Sequence, residues 1–176
     1  TIATIQEQDS APFYRIDRTT TRVDSAALNE GLALGYNQLS SYSSANNPQA
    51  IALLNSLGYS SVGEFSTRYA EPILTVDALL GVKYAIAEQA PAGYIATNTT
   101  QIGTASAVYE NPYALNVGIA ASKDIMNSEL NGKNPFEKQN DLYGKILGRN
   151  VELYTKVEAT NTEDNPGAKQ WNVTVP

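Results

Sequence analysis

The stretch Leu79-Leu80-Gly81-Val82-Lys83-Tyr84-Ala85-Ile86 decides the fold. Val82 to Ala87 is a short run of apolar and β-favouring residues, bounded by Gly81 on one side and the turn Gln89-Ala90-Pro91-Ala92-Gly93 on the other. A run of that length between such breakers reads as a buried strand. Just upstream, Leu74 to Leu80 reads as a short helix that Thr75 can cap and Gly81 stops. The unit is therefore helix, glycine, strand, turn, and its surroundings must supply the strand's partners.

Working outward, Tyr94 to Thr97 and Ala105 to Glu110 return as antiparallel strands, and Leu115 to Ala120 makes a further one. Phe13 to Arg18 alternates as a half-buried strand should. Ala26 to Gly35 fits a short helix or a loop. Asn47-Pro48 starts a helix, with Asn47 as cap, Pro48 at the first position, and Ile51, Leu54 and Leu57 following until Gly58. A longer helix follows Asn134-Pro135, with Phe136, Leu142, Ile146 and Leu147 on one face, Lys138 and Lys145 outward, and Gly148 closing it. Val151 to Val157 and Trp171 to Val175 alternate around the turn-rich Asn161 to Gly167. The expectation is an α+β fold with a mixed or mostly antiparallel sheet and interleaved short helices. The expected division is one α+β domain over residues 1–150, with residues 151–176 as terminal β strands that would begin a truncated β-rich unit.

Composition narrows the function. The 176 residues suffice for one real core, and 42% of them are apolar while only 17% are charged, so the surface is built from neutral polar residues. A net charge of −6, with twelve scattered Lys and Arg, argues against nucleic acid as a partner. The absence of histidine and cysteine excludes thiol nucleophiles, Cys or His zinc sites, Ser-His-Asp triads and imidazole acid-base chemistry. No apolar run approaches the roughly 18 residues of a membrane helix; the longest, Ile73 to Ile86, is broken by Thr75, Asp77 and Lys83. The chain begins without Met and ends just after a strand-like stretch, as expected of a domain cut from between transmembrane segments.

Several constellations could carry chemistry. The segment from Gly35 to Asn47 crowds together aromatic, amide and hydroxyl side chains, of which Tyr36, Asn37, Ser40, Tyr42 and Ser44 are the candidate saccharide-binding residues. Aromatic faces stack on the apolar face of a pyranose, and amides and hydroxyls satisfy its hydroxyl groups without net charge. The alternative is a solvated loop whose Ser and Asn side chains bond their own backbone. Gln139 and Asn140 could reach a ligand from the last helix, or form an exposed polar face with Asn134 as its cap. Glu64 with Glu71, or Asp124 with Glu129, are possible carboxylate pairs, but a glycosidase needs a fixed separation that sequence does not show. Asp124 to Glu129 lacks the ligand spacing of a dedicated calcium loop. Asn98-Thr99-Thr100 and Asn172-Val173-Thr174 match the glycosylation triplet, which arises by chance. No catalytic residue, metal site or cofactor follows from the residues.

A resemblance adds to this reading. Leu79 to Ile86, then Tyr109-Glu110-Asn111-Pro112-Tyr113-Ala114-Leu115, then Asn134-Pro135-Phe136-Glu137-Lys138-Gln139-Asn140 stand in an order similar to the outward-facing soluble region of YfhO-type bacterial membrane proteins. The likeness runs from about residue 12 to residue 150. Val151 to Pro176 carries no signature of it. Those proteins are polytopic and grouped with the GT-C glycosyltransferases. The resemblance implies an extracellular domain of a membrane enzyme that glycosylates envelope polymers of the teichoic acid type from a polyprenyl-phosphate sugar donor. It also implies that the catalytic acid lies outside this sequence. The partners implied are the protein's own transmembrane region and a cell-envelope glycopolymer or saccharide. For an anionic acceptor, Arg15, Arg18 and Arg22 are the local basic residues. The other class of function is a structural or interaction domain that binds no glycan, marked by a flat apolar patch in place of a groove.

Overall fold

The computed structural model describes residues 2–19, 26–61, 63–98, 106–127, 129–165 and 168–175. Its centre is β5 (Val82–Ala87), reached through α4 (Leu74–Leu79) and the left-handed turn residue Gly81, φ 66°. On one side β5 pairs in parallel with β1 (Arg15–Arg18); on the other it pairs antiparallel with β7 (Ala107–Glu110), which carries β6 (Ile95–Ala96) at the edge. The sheet is thus mixed, in the order β1-β5-β7-β6. A second, antiparallel sheet has the order β2-β4-β3, from Ser41–Tyr42, Ser66–Arg68 and Ser60–Ser61. The helices are α1 (Ile2–Gln8), α2 (Glu30–Leu34) after a 3-10 turn at Ala26–Asn29, α3 (Pro48–Ser56), α4, and α5 (Pro135–Leu147). The fold is α+β, mostly antiparallel, with short interleaved helices.

Because β5 is central, both its faces are buried. Val82 and Ala85 join the larger core with Leu57, Tyr59, Tyr69, Val76, Leu142 and Ile146, whereas Tyr84 and Ile86 join the smaller one with Ile5, Ile16 and Val108. The register shift opposite Arg15 and Ile16 inserts Lys83 as an extra residue, so the faces of β5 do not alternate strictly. Burial of both faces is why Tyr84 to Ala87 carries no polar alternation.

Local chemistry explains the starts of α3 and α5 and the end of α5. Asn47 accepts from the backbone N–H of Gln49 and Ala50, Pro48 occupies the first turn, and Asn134 accepts from Glu137 N ahead of Pro135. Gly148 closes α5 in the left-handed conformation.

Several expectations are corrected. Thr75 does not cap α4; its hydroxyl donates to Gln139 Oε1 at 2.6 Å, and the N-cap position falls on Ile73, whose own N–H donates to Asp77 at 2.9 Å. Leu115 to Ala120 is no strand, because β7 already has β5 and β6 on its two edges, so the chain leaves the sheet at Asn111-Pro112. Val151 to Val157 is irregular as well. The supposed turn region Asn161 to Gly167 is largely β8 (Ala159–Asn165), which pairs with β9 (Ala168–Val173) in a separate hairpin. On α5, Phe136 is exposed and packs edge-on against Tyr154, and Lys145 lies against Asp141 at 2.9 Å. Arg22, Thr99, Thr100 and Ala105 lie outside the described residues.

Candidate functional site

Two buried carboxylates organise the molecule. Asp17, in β1, accepts from Leu39 N (2.6 Å), Ser40 N (3.0 Å) and the Ser40 hydroxyl (2.7 Å), and also from Arg18 N (3.0 Å). It is 3% exposed, and burial pushes its pKa up against those four donors. Asp77, in α4, is fully buried and accepts from the hydroxyls of Tyr59, Tyr69 (2.9 Å) and Tyr94 (2.7 Å) as well as Ile73 N. Desolvation raises it to about 6. Both groups are saturated by structural partners, so neither stands ready as an acid or base.

Asp17 positions the polar segment. It anchors Leu39 and Ser40, and Asn37 O accepts from Ile16 N at 2.9 Å, so the strand edge carries the loop alongside β1. Gln38 ties the loop to the helical turn behind it: Oε1 accepts from Gly31 N at 2.6 Å and Nε2 donates to Leu28 O at 2.6 Å and to Ser40 O. Asn29 holds both backbone groups of Tyr42, and Asn46 donates to Phe65 O. The Ser40 hydroxyl donates to Asp17 and accepts from Tyr69 N at 3.2 Å. Many of the amides and hydroxyls thus bond the segment's own scaffold.

What remains open is a groove of about 310 Å³ between this segment and the start of β1, with Phe13, Arg15, Leu32, Tyr36 and Asn37 among its walls. A recess of about 140 Å³ shares Phe13, Tyr36 and Asn37 with it. Of the five candidate residues, Tyr36, Asn37 and Ser40 line the groove, while Tyr42 and Ser44 are exposed away from it. Tyr36 is half-buried against the Ile5 and Ile16 cluster, and desolvation raises its hydroxyl pKa. Asn37 donates to Tyr14 O at 3.2 Å, and no described group donates to its Oδ1.

Phe13 and Leu32 were not foreseen as site residues. Phe13 was legible only as the start of a strand, and Leu32 is an 88% exposed helix residue. Asp77 carried a signal in the sequence: a lone carboxylate inside Leu74-Thr75-Val76-Asp77-Ala78-Leu79 has to be partnered. Neither Gln139 nor Asn140 lines this groove; Asn140 lines the wider cleft beside α5. Gln139, 1% exposed, donates to Leu57 O at 2.8 Å, and Asn140 holds the backbone of Leu153 and Tyr154.

A wider cleft of about 780 Å³ lies beside α5, with Asp124, Glu137, Asp141, Lys145, Arg149 and Glu152 on its walls. No group of carboxylates among the described residues is arranged to hold a metal ion.

The chain matches the family described as bacterial membrane protein YfhO over residues 1–175. It belongs to that family. Curated proteins and solved structures alike contain no match to it. Among the described residues of this YfhO-family chain no helix is long and apolar enough to cross a membrane.

Proposed function

We propose that this fold is the extracellular, non-catalytic domain of a YfhO-type membrane glycosyltransferase, and that it presents a cell-envelope saccharide acceptor to chemistry performed elsewhere in the protein. The observation that carries this reading is the groove bearing two aromatic rings, Phe13 and Tyr36, with the Asn37 amide at its rim. Rings beside an amide oxygen to which no described group donates suit a pyranose, whose apolar face stacks while its hydroxyls donate. The saturation of Asp17 and Asp77 is consistent with a domain that binds and does not react. A teichoic-acid-type acceptor and a polyprenyl-phosphate donor fit the family resemblance.

The reading is tested by NMR titration of this chain with teichoic-acid fragments and simple hexosides. Saturable binding that Phe13→Ala weakens by about tenfold or more, and Tyr42→Ala leaves unchanged, supports it. No binding at millimolar ligand would transfer the case to a scaffold domain. That second reading has an observation of its own: Tyr113, Leu115, Val117 and Ile119 are exposed on the segment after β7, beside an apolar groove of about 450 Å³ formed with Ala78 and Tyr143.

A further inference from the structure

Among the described residues the groove has one charged side chain on its walls, Arg15. That residue is half-buried, and its guanidinium lies over the Phe13 ring, 4.9 Å from the centroid. One N–H group is spent on the carbonyl of Leu80, at the C-terminal end of α4. A Cβ placed on Gly81 would stand 3.9 Å from Arg15 Nη1 and 4.0 Å from Phe13 Cε1, ordinary contact distances that place both side chains directly beside this turn. Among the described residues Arg15 makes no ion pair, unlike Arg18, which lies 3.0 Å from Glu30, and Lys83, which lies 2.6 Å from Asp9. The nearby Asp17 attracts it, but each oxygen of that carboxylate is already held by other donors. Desolvation accordingly lowers the Arg15 pKa. A cation withdrawn from water without a counter-ion is costly, and a guanidinium with N–H groups to spare is the side chain best shaped to take an oxyanion.

We propose that the groove takes an acidic saccharide, a sugar bearing a phosphate or carboxylate, with Arg15 binding the oxyanion while Phe13, Tyr36 and Asn37 meet the sugar. This rests on the saccharide reading given above and adds the class of ligand. It also assigns the charge to one residue: Arg18 is spent on Glu30, and the net charge of −6 supplies no general attraction for an anion.

The test is an NMR titration of this 176-residue chain with four probes: glucose, glucose 1-phosphate, glucuronate and inorganic phosphate. The expected result is that at least one of the two acids binds about tenfold or more tightly than glucose. Its shifts should centre on the Arg15 Nε–H and the Phe13 ring, and the tighter acid identifies the oxyanion. Arg15→Gln should close the gap between acid and glucose. Arg15→Lys, which keeps the charge but loses the fork, should narrow it, and serves if the Gln variant does not fold. Equal affinity for glucose and both acids overturns the proposal and leaves the saccharide reading standing. Inorganic phosphate binding as tightly as glucose 1-phosphate overturns it in favour of a bare ion site. Shifts centred on Lys145 and Arg149 overturn it by placing the anion in the other cleft. Silence from all four probes overturns both readings together.

Discussion

Replacing Asp77 by Asn tests the physics of the core most directly. Asp77 sits where α4, the β3–β4 region and the turn before β6 converge, and it receives three tyrosyl hydroxyls and one backbone N–H. Those four donors favour the carboxylate, yet burial outweighs them and lifts the pKa from 3.8 to about 6. The folded state therefore binds this proton more tightly than the unfolded chain does. Between those two values the native protein holds more protons than the unfolded one, so Asp77's contribution to stability falls as pH rises. With pKa values of 3.8 and about 6, the contribution at pH 4.5 exceeds that at pH 7.5 by about 2 kcal/mol. Asp77→Asn removes the titration and keeps the shape. The cost of the substitution, taken from urea unfolding followed by far-UV circular dichroism, should then be about 2 kcal/mol greater at pH 4.5 than at pH 7.5. Asp9, Asp17 and Asp141 titrate in both proteins and cancel in the difference. A cost that is equal at the two pH values, or greater at pH 7.5, would mean that the four donors balance or outweigh desolvation, and the argument would fail.

Other substitutions probe separate joints of the structure. Gln139→Leu strips Leu57 O of its 2.8 Å donor inside the core and should cost about 1–3 kcal/mol by urea unfolding. Asn134→Ala removes the cap of α5 and should cost about 1 kcal/mol in the same assay, with Asn134→Ser restoring most of it. Gly31→Ala would place a Cβ 2.5 Å from Tyr36 O and 2.9 Å from the Gln38 side chain. It should destabilise by about 1–3 kcal/mol in thermal unfolding and shift the amide resonances of Tyr36 and Asn37, since the groove wall has to move. Normal Tyr36 and Asn37 resonances in that variant would show that Gly31 does not set the wall.

What the sequence determined by itself was everything carried by short-range rules. Pro48 and Pro135 with their Asn caps started α3 and α5, Gly148 closed α5, and Gly81 separated α4 from β5, because each effect acts within a turn of the chain. The short run Val82 to Ala87 between Gly81 and the following turn announced β5 as a buried strand. Tertiary structure decided which of the strand-like segments found partners. Leu115 to Ala120 carries the alternation of a strand but meets a sheet whose edges at β7 are already filled, whereas the polar Ala159 to Asn165 pairs with β9. It also decided which polar side chains are available. Ser40, Gln38, Gln139 and Asn29 look alike in sequence to residues that bind ligands, but distant donors and acceptors claim them, Gln139 from 82 residues away. Conversely, Phe13 and Arg15 face an open groove only because β1 runs in parallel beside β5 and brings them against the Gly81 turn. Pairing across such separations depends on shape and on competition among all possible partners, which no local window of sequence contains.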